Sequence, residues 1–146
     1  MGRRGCDVIR ALALLPFLLA ACVTTPSQEF VARNVVQYAV ITVINGDVSR
    51  AETVFAIAAS AISFASEQTT DLPSLEAHVR EAIPWQSLDT ADRRLVEVLL
   101  LAVRDELEAR LGDGAGQIPP ARVGAAVEVL EWVCEAAEIA GRVETW

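Results

Sequence analysis

The chain has 146 residues, just over half of them apolar, with 12 arginines, 20 acidic side chains and one histidine, for a formal charge of −8. It contains no lysine. An acidic balance disfavours nucleic acid and anionic head groups, which both need positive surface, so nucleic-acid binding is set aside. The first element is a basic start, Arg3, Arg4 and Arg10 interrupted by Asp7, followed by an uncharged apolar run from Ala11 to Ala21. Eleven residues at about 1.5 Å rise fall short of the roughly 20 needed to cross a hydrocarbon core. That length fits the apolar region of a signal peptide, with the small Ala20 and Ala21 before a cleavage site.

The run closes on Leu19-Ala20-Ala21-Cys22, which resembles the lipobox of bacterial lipoproteins. The resemblance implies that Cys22 is diacylated, that the chain is cut before it, and that its new amine is then acylated. Cys6 lacks the small and apolar residues that such a site needs. Arg3-Arg4 lacks the flanking residues of a twin-arginine signal. The residue after Cys22 is Val23, where lipoproteins retained at the inner membrane carry Asp. The resemblance therefore points to an outer-membrane anchor facing the periplasm. Two or three acyl chains hold stably, at about 0.8 kcal/mol per buried CH₂, where one would not.

Removal of residues 1–21 leaves 9 positive and 19 negative side chains, a formal balance of −10. Roughly 120 residues suffice for one domain with a real core. With Cys22 acylated, Cys134 is the remaining thiol and no internal disulfide can form. The expected organisation is a signal peptide over 1–21, a lipidated tether over 22–28, a helical domain over 29–141 and a tail over 142–146.

No period-two strand pattern stands out, and five helices are predicted. The first spans about Gln28 to Asn45 and stops at Gly46. The second opens on Ser49-Arg50-Ala51-Glu52, a capping-box pattern, and continues to about Gln68. A short third helix runs from about Pro73 to Ile83 and ends ahead of Pro84, because the residue before proline avoids helical geometry. The fourth spans Thr90 to Leu111, between Asp89 as cap and Gly112 as terminator. The fifth starts at Pro119 or Pro120 and runs to Ala140, stopping at Gly141. The expectation is an all-α compact bundle.

Helix four carries Leu95, Val96, Leu99, Val103, Leu107 and Leu111 on one face, and Val98, Leu100 and Leu101 widen the stripe. It is therefore predicted to be central, with Arg93–Glu97, Arg104–Glu108 and Glu106–Arg110 pairs outside. Helix five carries a similar face through Val123, Val127, Leu130, Cys134 and Ala137. Helices one and two contain uncharged runs, Asn34 to Gly46 and Thr53 to Ser66, the second rich in alanine. Small residues four apart (Ala56 with Ser60, Ala61 with Ala65) permit close helix approach. Runs of 13 and 14 residues are short of a membrane span, and Asp47, Arg50 and Glu52 at the turn would be costly in lipid. A tightly packed hairpin is expected there.

The residues offer little catalytic chemistry. His78 and Glu81 share a helical face, but two ligands are too few for a structural zinc site, and the doubled Glu-x-x-His of di-iron bundles is absent. Gly112-Asp113-Gly114-Ala115-Gly116 lacks the lysine of a P-loop and the spaced acids of an EF-hand. Cys134 reads as a small core residue. Trp85 is expected to wedge into the core beside Pro84. Trp132 reads first as core and alternatively as an exposed anchor for a partner. No cofactor, metal or catalytic residue is assigned, and Cys22 is the single modification site.

The segment from Ile83-Pro84-Trp85 through Asp92-Arg93, the leucine-rich helix and Leu111-Gly112-Asp113-Gly114 is similar to small uncharacterised lipoproteins of Gram-negative bacteria and prophages. It covers about a third of the mature chain and implies a class rather than an activity. The leading expectation is a non-enzymatic, outer-membrane-anchored helical lipoprotein acting in the periplasm through contacts with a protein partner or with a second copy of itself, in a setting that could be phage-related; an apolar face of the first two helices that oligomerises or touches the bilayer stays open. The alternative is a membrane-active, holin-like lysis factor whose residues 34–66 insert into the bilayer.

Overall fold

A computed structural model describes residues 26–67, 70–112 and 116–142. The segment 1–21 expected to be a signal peptide, Cys22, the centre of the glycine-rich loop and Trp146 lie outside them. The described residues form five α-helices: α1 (Pro26–Ile44), α2 (Val48–Glu67), α3 (Leu72–Ala82), α4 (Thr90–Leu111) and α5 (Pro120–Arg142). A single 3₁₀ turn, Trp85–Ser87, separates α3 from α4, and no strand occurs among the described residues. An all-α bundle is what the pattern of caps and apolar stripes requires.

Local chemistry explains the boundaries. Asn45 (φ 47°) and Gly46 (φ 77°) are both left-handed, and the Asp47 amide donates to the Ile44 carbonyl at 3.0 Å. This is the sign pattern of a tight turn that asparagine and glycine tolerate best. Asp47 then caps α2, its carboxylate accepting from the Arg50 amide at 3.2 Å. The expected capping box at Ser49 is thus displaced by two residues. A carboxylate suits the positive end of a helix better than a hydroxyl does, and Ser49 falls into the first turn. Asp71 caps α3 through the Ser74 amide at 2.7 Å, and Asp89 caps α4 through the Asp92 amide at 2.8 Å. Gly112, at φ 87°, ends α4 with its amide on the Glu108 carbonyl.

α5 does not stop at Gly141 but runs through it. A Cβ placed there would stand 3.3 Å from the Ala51 Cβ of α2. The glycine marks a close helix approach rather than a terminator. Nor is α4 the central helix. α5 buries eight residues, from Ala126 to Ala140, whereas α4 buries only Leu99 and Leu107. α5 packs against α1, α2 and α4, most extensively against α2. The alanine stripe of α2 (Ala51, Ala58, Ala61, Ala65) is buried. The close approach expected from those small residues is therefore present, but the main partner is α5. α1 and α2 touch only lightly, which corrects the expected self-packed hairpin.

Trp132 is core, only 3% exposed, with the Arg110 guanidinium 4.6 Å from its ring centroid. Arg110 also bonds Glu106 at 2.7 Å and Glu128 at 2.8 Å, joining α4 to α5. Burial opposes its charge, yet these two acids outweigh it and its pKa lies above the ordinary value. Trp85 is half-buried and donates from Nε1 to the Arg80 carbonyl at 2.8 Å. It covers the end of α3, while its neighbour Ile83 is the buried residue at that corner.

Glu97 pairs with Arg80 of α3 through two bonds of 3.0 and 2.9 Å, not with Arg93, whose Nε donates to the Leu88 carbonyl. The Arg80 bonds hold the Glu97 carboxyl below its ordinary value, and Ser74 does the same for Asp71. Both groups therefore bind fewer protons folded than unfolded. Their contribution is complete above an ordinary carboxylate pKa of about 4 and is lost as pH falls through the lower folded values. The urea midpoint is expected to stay level from neutrality to about pH 5 and fall below about pH 4. Glu97→Gln should make that fall shallower; an identical slope would show that the pair carries none of it.

Candidate functional site

Two features of the bundle are not accounted for by folding alone. The first is the outer face of α1. Val36, Val40, Val43 and Ile44 are buried, while Val31, Val35 and Tyr38 recur at four- and three-residue steps on the opposite side and stay exposed. Tyr38 is 74% exposed, and Phe30 and Ile41 flank the stripe. The helix is apolar on both sides, yet the bundle covers only one. From Asn34 to Gly46 it carries no charge on a chain that is strongly acidic elsewhere. Contiguous exposed apolar surface of this kind marks a contact site more often than a tolerated accident.

The second feature is a half-open apolar cavity of about 270 Å³ between α2, α3, α4 and α5. α2 and α4 hardly touch, and the gap is walled by hydrocarbon. Ala58 and Ala61 of α2 face it with Leu99 of α4 and Leu130 and Val133 of α5. Its polar rim is Ser49, Arg50, Thr53, Ser87 and Asp92. Arg50 and Asp92 form a two-pronged pair there, Nη1–Oδ1 at 2.9 Å and Nη2–Oδ2 at 2.7 Å. Asp47 stands 3.5 Å from the Arg50 Nε, and the Val43 carbonyl 3.4 Å from its Nη1.

The catalytic candidates stay dispersed. His78 stacks on Phe64 with centroids 4.4 Å apart, and its Nε2 lies 2.9 Å from the Ser60 hydroxyl. The ring is thus held in place rather than freely solvated. Ser60 is 18 residues away from it, so the serine–histidine contact had no local signal in the chain. Among the described residues no acid hydrogen-bonds the ring to complete a triad. Glu81 is exposed. Among the described residues, no three of the His, Cys, Asp and Glu side chains are grouped to hold a metal ion.

Cys134 is half-buried against the core, as its helix position suggested. Burial, and then Glu138, Glu131 and Glu135, push its thiol up, away from the reactive thiolate. Sequence reasoning missed the cavity altogether. The alanines that create it were legible, but as a close-packing signal only.

Comparison with protein-family models, with curated proteins and with solved structures finds no match to this chain.

Proposed function

We propose that the protein is a non-enzymatic lipoprotein, anchored by acyl chains on Cys22, that works at the periplasmic face of the outer membrane through protein contacts. The outer face of α1 is the contact surface. The observation that carries this reading is position: α1 begins at Pro26, four residues after Cys22. Val23, Thr24 and Thr25 can span only about 10 Å, so α1 is held beside the bilayer. The uncharged stripe Val31, Val35, Tyr38 is then the part of an acidic body best suited to meet an apolar patch on an envelope protein. Rigid aromatic anchors such as Tyr38 and Phe30 are typical of such contacts. The prophage setting rests on the resemblance of residues 83–114.

Photo-crosslinking from position 35 in living cells tests the surface. The expected result is one discrete protein adduct, absent when the same probe replaces Glu52 on α2. Crosslinks to lipid alone would overturn the protein partner.

The alternative, insertion of residues 34–66, draws on α2, the one described helix long and apolar enough to cross a membrane. Against it, α2 places its alanine stripe on α5, and Arg50 is engaged by Asp92 and Asp47. Complete protease digestion of residues 34–66 in liposomes would rule insertion out.

A further inference from the structure

The cavity between α2, α3, α4 and α5 belongs to no part of the function proposed above. Protein interiors pack to crystal-like density, and voids much larger than a water molecule are few. A purely apolar cavity of 150 Å³ already stays dry and takes up a small hydrocarbon. This one, at about 270 Å³, is nearly twice that size and is half open, with polar side chains at its mouth. Its interior offers only hydrocarbon from Ala58, Ala61, Leu99, Leu130 and Val133, so water would find few partners there.

We propose that the cavity is a binding site for a single-chain zwitterionic amphiphile of the lysophosphatidylethanolamine class, with its acyl chain inside and its head at the Arg50–Asp92 rim. Size sets the chain number. At about 270 Å³ the half-open cavity is smaller than the roughly 300–1,000 Å³ of sites that enclose drug-sized ligands, so it takes the inner part of one chain and not two. Charge sets the head group. One guanidinium at the rim faces two carboxylates, Asp92 and Asp47, which disfavours a free fatty-acid carboxylate. A phosphate can share Arg50 while an ammonium group approaches Asp47 or Asp92.

An acyl chain on Cys22 would have to reach this rim from the far end of α1. The rim lies at the turn between α1 and α2, beside Val43 and Ser49. Cys22 precedes the opposite end of α1, a helix of 19 residues or about 28 Å.

Native mass spectrometry of the full lipidated chain, released from detergent micelles and titrated with 1-palmitoyl-lysophosphatidylethanolamine or palmitate, tests the assignment. One equivalent of the lysophospholipid is expected, with palmitate at least about tenfold weaker. Ile57 of α2 also lines the cavity, and Ile57→Phe and Ala58→Ile each fill it from α2 and should cut the adduct by at least about tenfold with the helical circular dichroism retained. Either variant alone suffices if the other fails to fold. No adduct, or equal binding by the filled variants, overturns the site, and equal binding of palmitate overturns the head-group assignment. Tyr38→Glu, on the outer face of α1, should leave the adduct unchanged even where it abolishes the protein crosslink from position 35. A loss of the adduct in that variant would place the ligand on α1 and sink the cavity proposal.

Discussion

Trp132→Ala is expected to lower the unfolding free energy by about 3–5 kcal/mol, the cost of truncating a buried aromatic residue in a packed core. Against a typical total of about 5–15 kcal/mol for a domain, that is a large share. The site explains the size of the effect. Trp132 is the only buried aromatic ring among the described residues, and it lies in the helix that contacts α1, α2 and α4. Its loss also takes the ring from under Arg110, whose guanidinium is partly desolvated between Glu106 and Glu128. Urea denaturation followed by far-ultraviolet circular dichroism measures the change. A double-mutant cycle with Arg110→Met, which keeps the apolar stem, should give a coupling of about 1 kcal/mol or more. A Trp132→Ala cost below about 1 kcal/mol would mean that the ring is not packed as described.

The second large effect concerns the anchor. Cys22→Ser is expected to abolish incorporation of labelled palmitate and to leave residues 1–21 uncleaved, because acylation of the thiol precedes cleavage in the lipoproteins that the lipobox resembles. A chain starting at Val23 behind an ordinary secretory signal should then move from the membrane to the soluble fraction. Two or three acyl chains bury many methylenes at about 0.8 kcal/mol each, so their loss shifts partitioning by orders of magnitude. Membrane fractionation and the mass of the mature N-terminus read the outcome. Retention of the unlipidated chain would show that α1 or α2 holds the bilayer itself, which favours insertion over tethering.

Much of the secondary structure was legible because its signals are local. Asp89 and Gly112 bracket α4 at the residues expected, and Pro84 ends α3 through the extended Ile83 before it. The displaced cap of α2 shows the limit of such reading. Asp47 and Ser49 both have capping side chains, and the turn at Asn45-Gly46 decides which one meets the free amides. The wide stripe of α4 was misleading for a related reason. Val98 and Leu101 remain more than half exposed, since apolar periodicity says which face could be buried and not how much is covered.

The candidate site was less legible still. His78 meets Ser60 and Phe64 across 18 and 14 residues, and the cavity is lined by residues from all five helices. The apolar run of α1 could be seen in the chain, but not which of its two faces would stay outside.

By itself the sequence determined the acidic charge, the five helices with most of their ends, and the lack of a metal or nucleophile motif, because composition and capping act over a few residues. It also carries the lipobox pattern on which the anchor is proposed. Only the tertiary structure decided that α5 is the hub, that the alanines of α2 lie against it, that α2 and α4 stand apart around a cavity, and that one face of α1 is left bare. Those outcomes depend on which helices pair across long stretches of chain, and burial is a property of the pair rather than of either helix alone.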